Sequence, residues 1–236
     1  MIDFHSHILP NIDDGASNME ETLEILEEAR KAGFTKIIST SHYIEQYYEY
    51  NENSRKELIN EVKVNNPDVE LFLGSEIYIT NELIKLIEQK QASTINNSRY
   101  VLFELPMNAK SIYTKETIYR LIENEYIPII AHPERYSYIQ ENPEYIEELY
   151  DMGALFQANY GSIIGMYGRK AEKTVKKLLK DDYIHFLGTD VHRTNQIYTK
   201  IPKIIKKLDK IISSEKREEL TLINPQKVLE NQKIEQ

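Results

Sequence analysis

The chain has 236 residues and no cysteine, with 29 Lys and Arg against 38 Asp and Glu for a formal net charge of -9. Without cysteine there are no disulfides, iron–sulfur clusters, thiolate zinc sites or cysteine nucleophiles. An acidic chain lacks the basic footprint of non-specific nucleic-acid binding, and no apolar run reaches the ~18 residues that span a bilayer.

Taken in order, the chain alternates short apolar, β-branched runs with segments of helical period. The strand-like runs are 2–5, 35–40, 69–73, 100–104, 127–131, 154–158 and 184–187. Between them, 19–32 has Leu23, Ile25 and Leu26 on one side and glutamates on the other. Ser17 and Glu20 fit a capping box at its start, and Gly33 stands at its end. Pro143 fits the first turn of another helix, and 171–180 and 201–212 carry lysines in their later turns. The glycines at 161, 165 and 168 give the loop after the sixth strand the freedom of a lid. Near-continuous apolar strands alternating with helices predict a parallel sheet covered by helices, either open or closed into a barrel. No glycine-rich nucleotide fingerprint supports a nucleotide-binding sheet. The expectation is one domain over 1–236, with 214–236 as a charged helical appendage. The first residues show no basic-then-apolar leader pattern, so a cytoplasmic location is expected.

The chemistry lies where the strands end. The first delivers His5-Ser6-His7, with Asp13-Asp14-Gly15 beyond it; the second is followed by Ser41-His42. The third leads to Glu76, the fourth ends in Glu104, and the fifth opens into His132-Pro133-Glu134-Arg135. The sixth brings Gln157 and Asn159, and the seventh Asp190-Val191-His192. Active sites of parallel α/β folds sit at this carboxyl edge, so these groups converge on one mouth if the sheet closes. Histidines two apart on a strand point to the same face. His185, inside the seventh strand, reads as structural.

Five histidines (His5, His7, His42, His132 and His192) and four acids (Asp14, Glu76, Glu104 and Asp190) exceed what one ion can hold. Two or three ions sharing a bridging carboxylate would use them all. Nitrogen and oxygen donors without sulfur favour Mn, Fe or Zn. The Arg135 fork matches two phosphate oxygens. Metal-assisted phosphoester hydrolysis is the chemistry these residues predict. Tyr43, with Tyr47, Tyr48 and Tyr50, follows His42 and offers rings for an aromatic substrate.

These motifs resemble the polymerase and histidinol phosphatase (PHP) superfamily. More narrowly, they are similar to its bacterial tyrosine-protein phosphatases of capsule and exopolysaccharide operons, the CpsB/CapC type. Residues 1–15 and 131–135 carry the resemblance most specifically. It implies a distorted seven-stranded β/α barrel with a trinuclear site, commonly manganese. By the resemblance, His5, His7, Glu76 and Asp190 hold one ion. Glu76, Glu104 and His132 hold a second, and Asp14, His42 and His192 a third. The family pattern, and not the spacing, selects Asp14 over Asp13. Arg135, His132 and Asp190 are expected to act in catalysis, and Arg135 and Tyr43 in substrate binding. The implied partner is an autophosphorylating tyrosine kinase with a tyrosine-rich tail, reaching the membrane only through that partner. The sequence leaves homo-oligomerisation open. Two alternatives stand: a related phosphoesterase acting on a small molecule such as histidinol phosphate, and a non-catalytic metal-binding module that docks on a kinase.

Overall fold

The computed structural model describes residues 1–66 and 68–234; the last two residues of the expected appendage lie outside the described residues. Seven parallel strands follow one another in chain order: β1 Ile2–Ser6, β2 Lys36–Tyr43, β3 Glu70–Tyr78, β4 Tyr100–Glu104, β5 Ile127–Ala131, β6 Leu155–Asn159 and β7 Phe186–Gly188. Just beyond β7, Asp190 N donates to His5 O and His7 N to Val191 O, bringing the last strand back to the first. The sheet is therefore a nearly closed barrel, as expected. The helices are α1 Met19–Lys31, α2 Glu52–Asn65, α3 Leu83–Glu88, α4 Thr114–Glu123, α5 Ser137–Glu141, α6 Tyr145–Asp151, α7 Tyr160–Ile163, α8 Arg169–Lys180, α9 Ile201–Leu208, α10 Ser214–Glu218 and α11 Asn224–Leu229. Among the described residues, no helix is long and apolar enough to cross a membrane.

Strand alternation divides the core in two. One apolar layer lies between strands and helices, including Ile37, Phe103, Ile130 and Phe156. The other fills the barrel's lower interior with Ile2, Phe4, Ile38, Tyr100, Leu102, Ile129 and Phe186. The tail closes that lower end. Val228, Leu229 and Ile234 pack into the interior cluster, and Tyr100 Oη donates to Gln232 O at 2.6 Å.

Strict alternation fails once, in β1. Asp3 pairs with Ile37 and Ser6 with Ser39, so three steps on β1 match two on β2. The extra residue is a bulge, which re-aims side chains. It lets Phe4 fill the interior while His5, the next residue, also turns inward. β7 makes room: a Cβ on Gly188 would stand 2.5 Å from His5 Cβ.

Several local expectations shift. The cap of α1 is Asn18, whose side chain accepts from Glu21 N, while Glu21 reaches back to Ser17; Ser17 and Glu20 do not form the box. The helix after Pro143 begins at Tyr145, and α9 stops at Leu208. The glycine loop is not an open lid: residues 160–163 form a buried helix, and Ser162 Oγ donates to Glu134 at 2.6 Å.

Candidate metal centre

Each strand supplies its group at the mouth for a local reason. On β1 the bulge and the alternation after it put His5 and His7 on the inner face. The register of β2 against β3 sets His42 directly beside Glu76, and Tyr78 of β3 pairs with Glu104 of β4. His132 leaves β5 at φ +33°, and Asp190 leaves β7 at φ +55°; both are left-handed turns in non-glycine residues, a strain typical of functional sites. Asp14 and His192 come from the adjoining loops.

Glu76 is the hub. Its Oε2 lies 3.1 Å from His5 Nε2, 3.3 Å from His7 Nε2 and 3.1 Å from His42 Nδ1, and its Oε1 lies 2.8 Å from His132 Nε2. Glu104 Oε1 is 3.5 Å from His42 Nδ1, and Glu104 Oε2 is 3.9 Å from His132 Nε2. Asp190 Oδ1 faces His7 Nε2 at 3.4 Å and His5 Nε2 at 3.7 Å. Asp14 Oδ1 faces His192 Nε2 at 3.3 Å and His42 Nε2 at 3.7 Å.

Three sets have donor atoms mutually within 4.8 Å: His5, His7, Glu76 and Asp190; His7, Asp14, His42 and His192; and His42, Glu76 and Glu104. The first matches the expected grouping. The second adds His7 to the expected trio, and the third has His42 in the place expected for His132. All nine predicted ligands share the mouth.

The second layer fixes protons. His7 Nδ1 donates to Asp13 Oδ2 at 2.8 Å, and His5 Nδ1 to Gln157 Oε1 at 2.7 Å. Gln157 Nε2 then donates to Asn159 Oδ1 at 2.9 Å, and Asn159 Nδ2 to Asp190 Oδ2 at 2.7 Å. This chain fixes both amide orientations. The Nε2 atoms of His5 and His7 stand 3.0 Å apart. Burial would lower both imidazoles, but Glu76 and Asp190 outweigh it at His5 and Asp13 foremost at His7, raising the first and raising the second strongly. A cation between these two Nε2 atoms would take the place of a proton there. Asp13 also accepts from the backbone N–H of Gly15 and His42, so it is an orienting group here, and Asp14 is the acid that faces the histidines.

The electrostatics fit a cation too. Burial pushes the Glu104 carboxyl well above the usual range, and neighbouring Glu76 and Asp190 push it further. Burial would raise Glu76 as well, but the charge and hydrogen bond of His5 and the hydrogen bond of His132 outweigh it and hold that carboxyl well down. Burial lowers His42 to about 4 and also lowers His132, keeping both neutral and fit to bind metal. His132 Nδ1 is buried without a hydrogen-bond partner.

Arg135 stands at the rim. Its Nη1 donates to Asp190 Oδ2 at 2.7 Å, and its guanidinium lies 4.5 Å from the centre of the Tyr167 ring. Tyr43 does not reach the site. Strand β2 runs three residues further than expected, so with His42 inward Tyr43 turns outward; it is 3% exposed and packs edge-on to Tyr50. The ring beside the site is Tyr48, stacked 6.0 Å from His42. His185 is structural as expected: its Nδ1 accepts from Phe156 N. The orienting roles of Gln157, Asn159 and Asp13 were not foreseen, although the two-residue spacing of 157 and 159 signals a shared face.

The fold and mouth define a class: a parallel β/α barrel with a clustered His/carboxylate centre at its carboxyl end. The family model for capsular polysaccharide synthesis proteins, CpsB/CapC, matches residues 1–230. The chain belongs to the CpsB/CapC family. It is 36% identical over 242 residues to CapC of Staphylococcus aureus, covering 99% of this chain and 93% of that one. It is 30% identical over 243 residues to the tyrosine-protein phosphatase CpsB of Streptococcus pneumoniae, covering 99% and 100%. Among solved structures, it is similar to the metal-dependent tyrosine phosphatases YwqE of Bacillus subtilis and CpsB of Streptococcus pneumoniae, with a TM-score of 0.90, 31% identity, and 100% and 96% coverage. A histidinol phosphate phosphatase from Lactococcus lactis shares the fold, with a TM-score of 0.61 at 15% identity over 89% of this chain and 93% of that one.

Proposed function

We infer that this chain is a metal-dependent tyrosine-protein phosphatase acting in capsule or exopolysaccharide synthesis. The observation that carries the reading is the cluster of eight His and carboxylate donors, joined through Glu76 by His132 and with Arg135 at its rim, in a chain similar along its whole length to phosphatases of that description.

The centre would hold manganese, with iron or zinc as the alternatives its donors also suit. Three ions use the donors best. His5, His7, Glu76 and Asp190 would serve one; Glu76, Glu104 and His132 a second; Asp14, His42 and His192 a third, each imidazole giving one lone pair. When bound, divalent ions lower the pKa of water and neutralise phosphoryl charge. The chain's own residues do the rest. Asp13 and Gln157 keep the Nδ1 protons of His7 and His5 in place, leaving each Nε2 free as a donor. Asn159 and Arg135 both bond Asp190 Oδ2, which leaves Oδ1 to the centre. Arg135 has further N–H donors for two phosphate oxygens, where charge grows during transfer. A tyrosyl oxygen, with a phenol pKa near ~10, leaves without strong acid assistance.

The substrate would be the phosphotyrosine-bearing tail of a tyrosine kinase. The chain would act in the cytoplasm as one domain, with the tail from 214 closing the barrel's lower end.

The test is phosphate release from a phosphotyrosine peptide by chelator-stripped protein, with and without Mn²⁺, beside histidinol phosphate. Manganese-dependent release from the peptide is the expected result. Release from histidinol phosphate alone would replace the substrate, and metal binding with no release from either would make the chain a regulatory module.

A further inference from the structure

The charge of this acidic chain is unevenly spread. About half of its 29 Lys and Arg residues fall between Arg169 and Arg217, with only six of its 38 acidic residues. The structure places much of that charge on two neighbouring helices. On α8, Lys173, Lys177 and Lys180 follow at helical spacing; beside it Lys203, Lys206 and Lys210 form a matching row on α9 and the turn after it. The helices are tied together by Glu172 Oε1, which accepts from Lys176 and, at 2.7 Å, from Lys207. That bond neutralises the acid between the rows. Among the described residues Lys173, Lys180, Lys203, Lys206 and Lys210 are exposed and make no ion pair.

The face begins at the mouth. Tyr167, whose ring underlies Arg135, is followed by Gly168 and then by Arg169, the first residue of α8. From there the twelve residues of α8 carry positive charge about 18 Å down the flank of the barrel. Within the rows Lys177 is paired with Asp181. Isolated exposed lysines attract weakly, but two rows whose other members lack counter-ions raise the local concentration of an anionic partner.

We propose that the α8–α9 face is a docking surface for the acidic polypeptide that flanks the scissile phosphoester. This rests on the phosphatase reading above. A chain leaving the mouth past Arg135 meets this row first, and a charged row reads an extended acidic segment without needing a sequence-specific pocket. The face would set the preference for substrate through KM and leave the chemical step alone.

The experiment uses manganese-loaded protein and three substrates: p-nitrophenyl phosphate, a phosphotyrosine peptide flanked by glutamates, and the same peptide flanked by glutamines. The K173E/K180E/K206E variant should raise KM for the glutamate peptide ~10-fold or more, with kcat and the other two substrates within about twofold. In the wild type, the preference for the glutamate peptide should fade between ~50 and ~500 mM salt. Equal KM values for both peptides in the wild type, or an undiminished preference in the variant, would overturn the proposal. Loss on all three substrates would mean a damaged fold, and K173A/K180A/K206A then repeats the comparison. Binding of the unphosphorylated glutamate peptide, followed by anisotropy, tests the face independently of turnover. Absence of turnover on every substrate with that binding intact sinks the phosphatase reading alone. If the variant instead loses binding to phosphatidylserine vesicles or single-stranded DNA while keeping the peptide preference, the face belongs to that partner and the proposal fails.

Discussion

Asp13 Oδ2 lies 2.8 Å from His7 Nδ1 and fixes which nitrogen of that ring keeps its proton. Gln157 does the same for His5 from the opposite side of the barrel. Partners of this kind, when removed, weaken metal binding ~10–100-fold. Asp13→Asn and Gln157→Leu should each do so, read by competition with a calibrated chelator. Wild-type affinity in both variants would show that the rings are oriented by something else.

Arg135 offers a planar fork, and only part of it is used by Asp190. Arg135→Ala should lower kcat/KM for a phosphotyrosine peptide ~100–1,000-fold, the range for losing one transition-state donor. Arg135→Lys should recover little, since an ammonium cannot span two oxygens. Metal content measured alongside separates this loss from a disturbed Asp190.

Tyr43 and Tyr48 should part company. Tyr43→Ala removes a buried ring and should cost about 3–5 kcal/mol of stability, seen in the denaturant midpoint, while Tyr43→Phe leaves KM unchanged. Tyr48→Ala should leave stability nearly intact and raise KM for aryl phosphates several-fold. A KM effect from Tyr43→Phe would put its hydroxyl back in substrate binding.

Much of this was legible in the chain, for definite reasons. Apolar runs marked the strands, and the polar residue after each run marked the mouth, because parallel β/α units put function at that edge. Other features were hidden. Tyr43 was misjudged because β2 extends past Thr40, and the side of a strand a residue faces depends on where the strand stops. The bulge that turns both Phe4 and His5 inward leaves no periodic trace, since it breaks the period. The position of His42 between Glu76 and Glu104 depends on register across strands, which one chain read alone does not contain.

His185 gives a pH dependence away from the centre. Burial lowers it from 6.5 to about 4, so the folded chain keeps it neutral. Above its unfolded pKa neither state binds a proton there. As pH falls from 6.5 towards 4, only the unfolded chain gains one, so stability drops, by about 3 kcal/mol in all. His185→Asn keeps an acceptor for Phe156 N and should flatten this part of the curve. Urea midpoints of both proteins between pH 7.5 and 4.5 check it; parallel curves would refute it.

Metal removal should cost stability as well as activity. An ion at ~100 times its dissociation constant stabilises the folded state by about 2.7 kcal/mol, or ~5–10 °C in Tm at this chain length. Calorimetry of stripped and manganese-loaded protein measures the shift. No shift, with ions bound, would mean the unfolded chain holds them equally well.

The barrel closes where residues near position 190 meet residues near position 5. One donor set takes His5 and His7 from the first strand and Asp190 from beyond the last. On the ribosome, His5 and His7 emerge early and must wait for some 180 further residues, roughly ten seconds of synthesis or more. The complete centre is therefore loaded by a nearly finished chain, and a fragment that stops before β7 lacks that full set however well its earlier units fold.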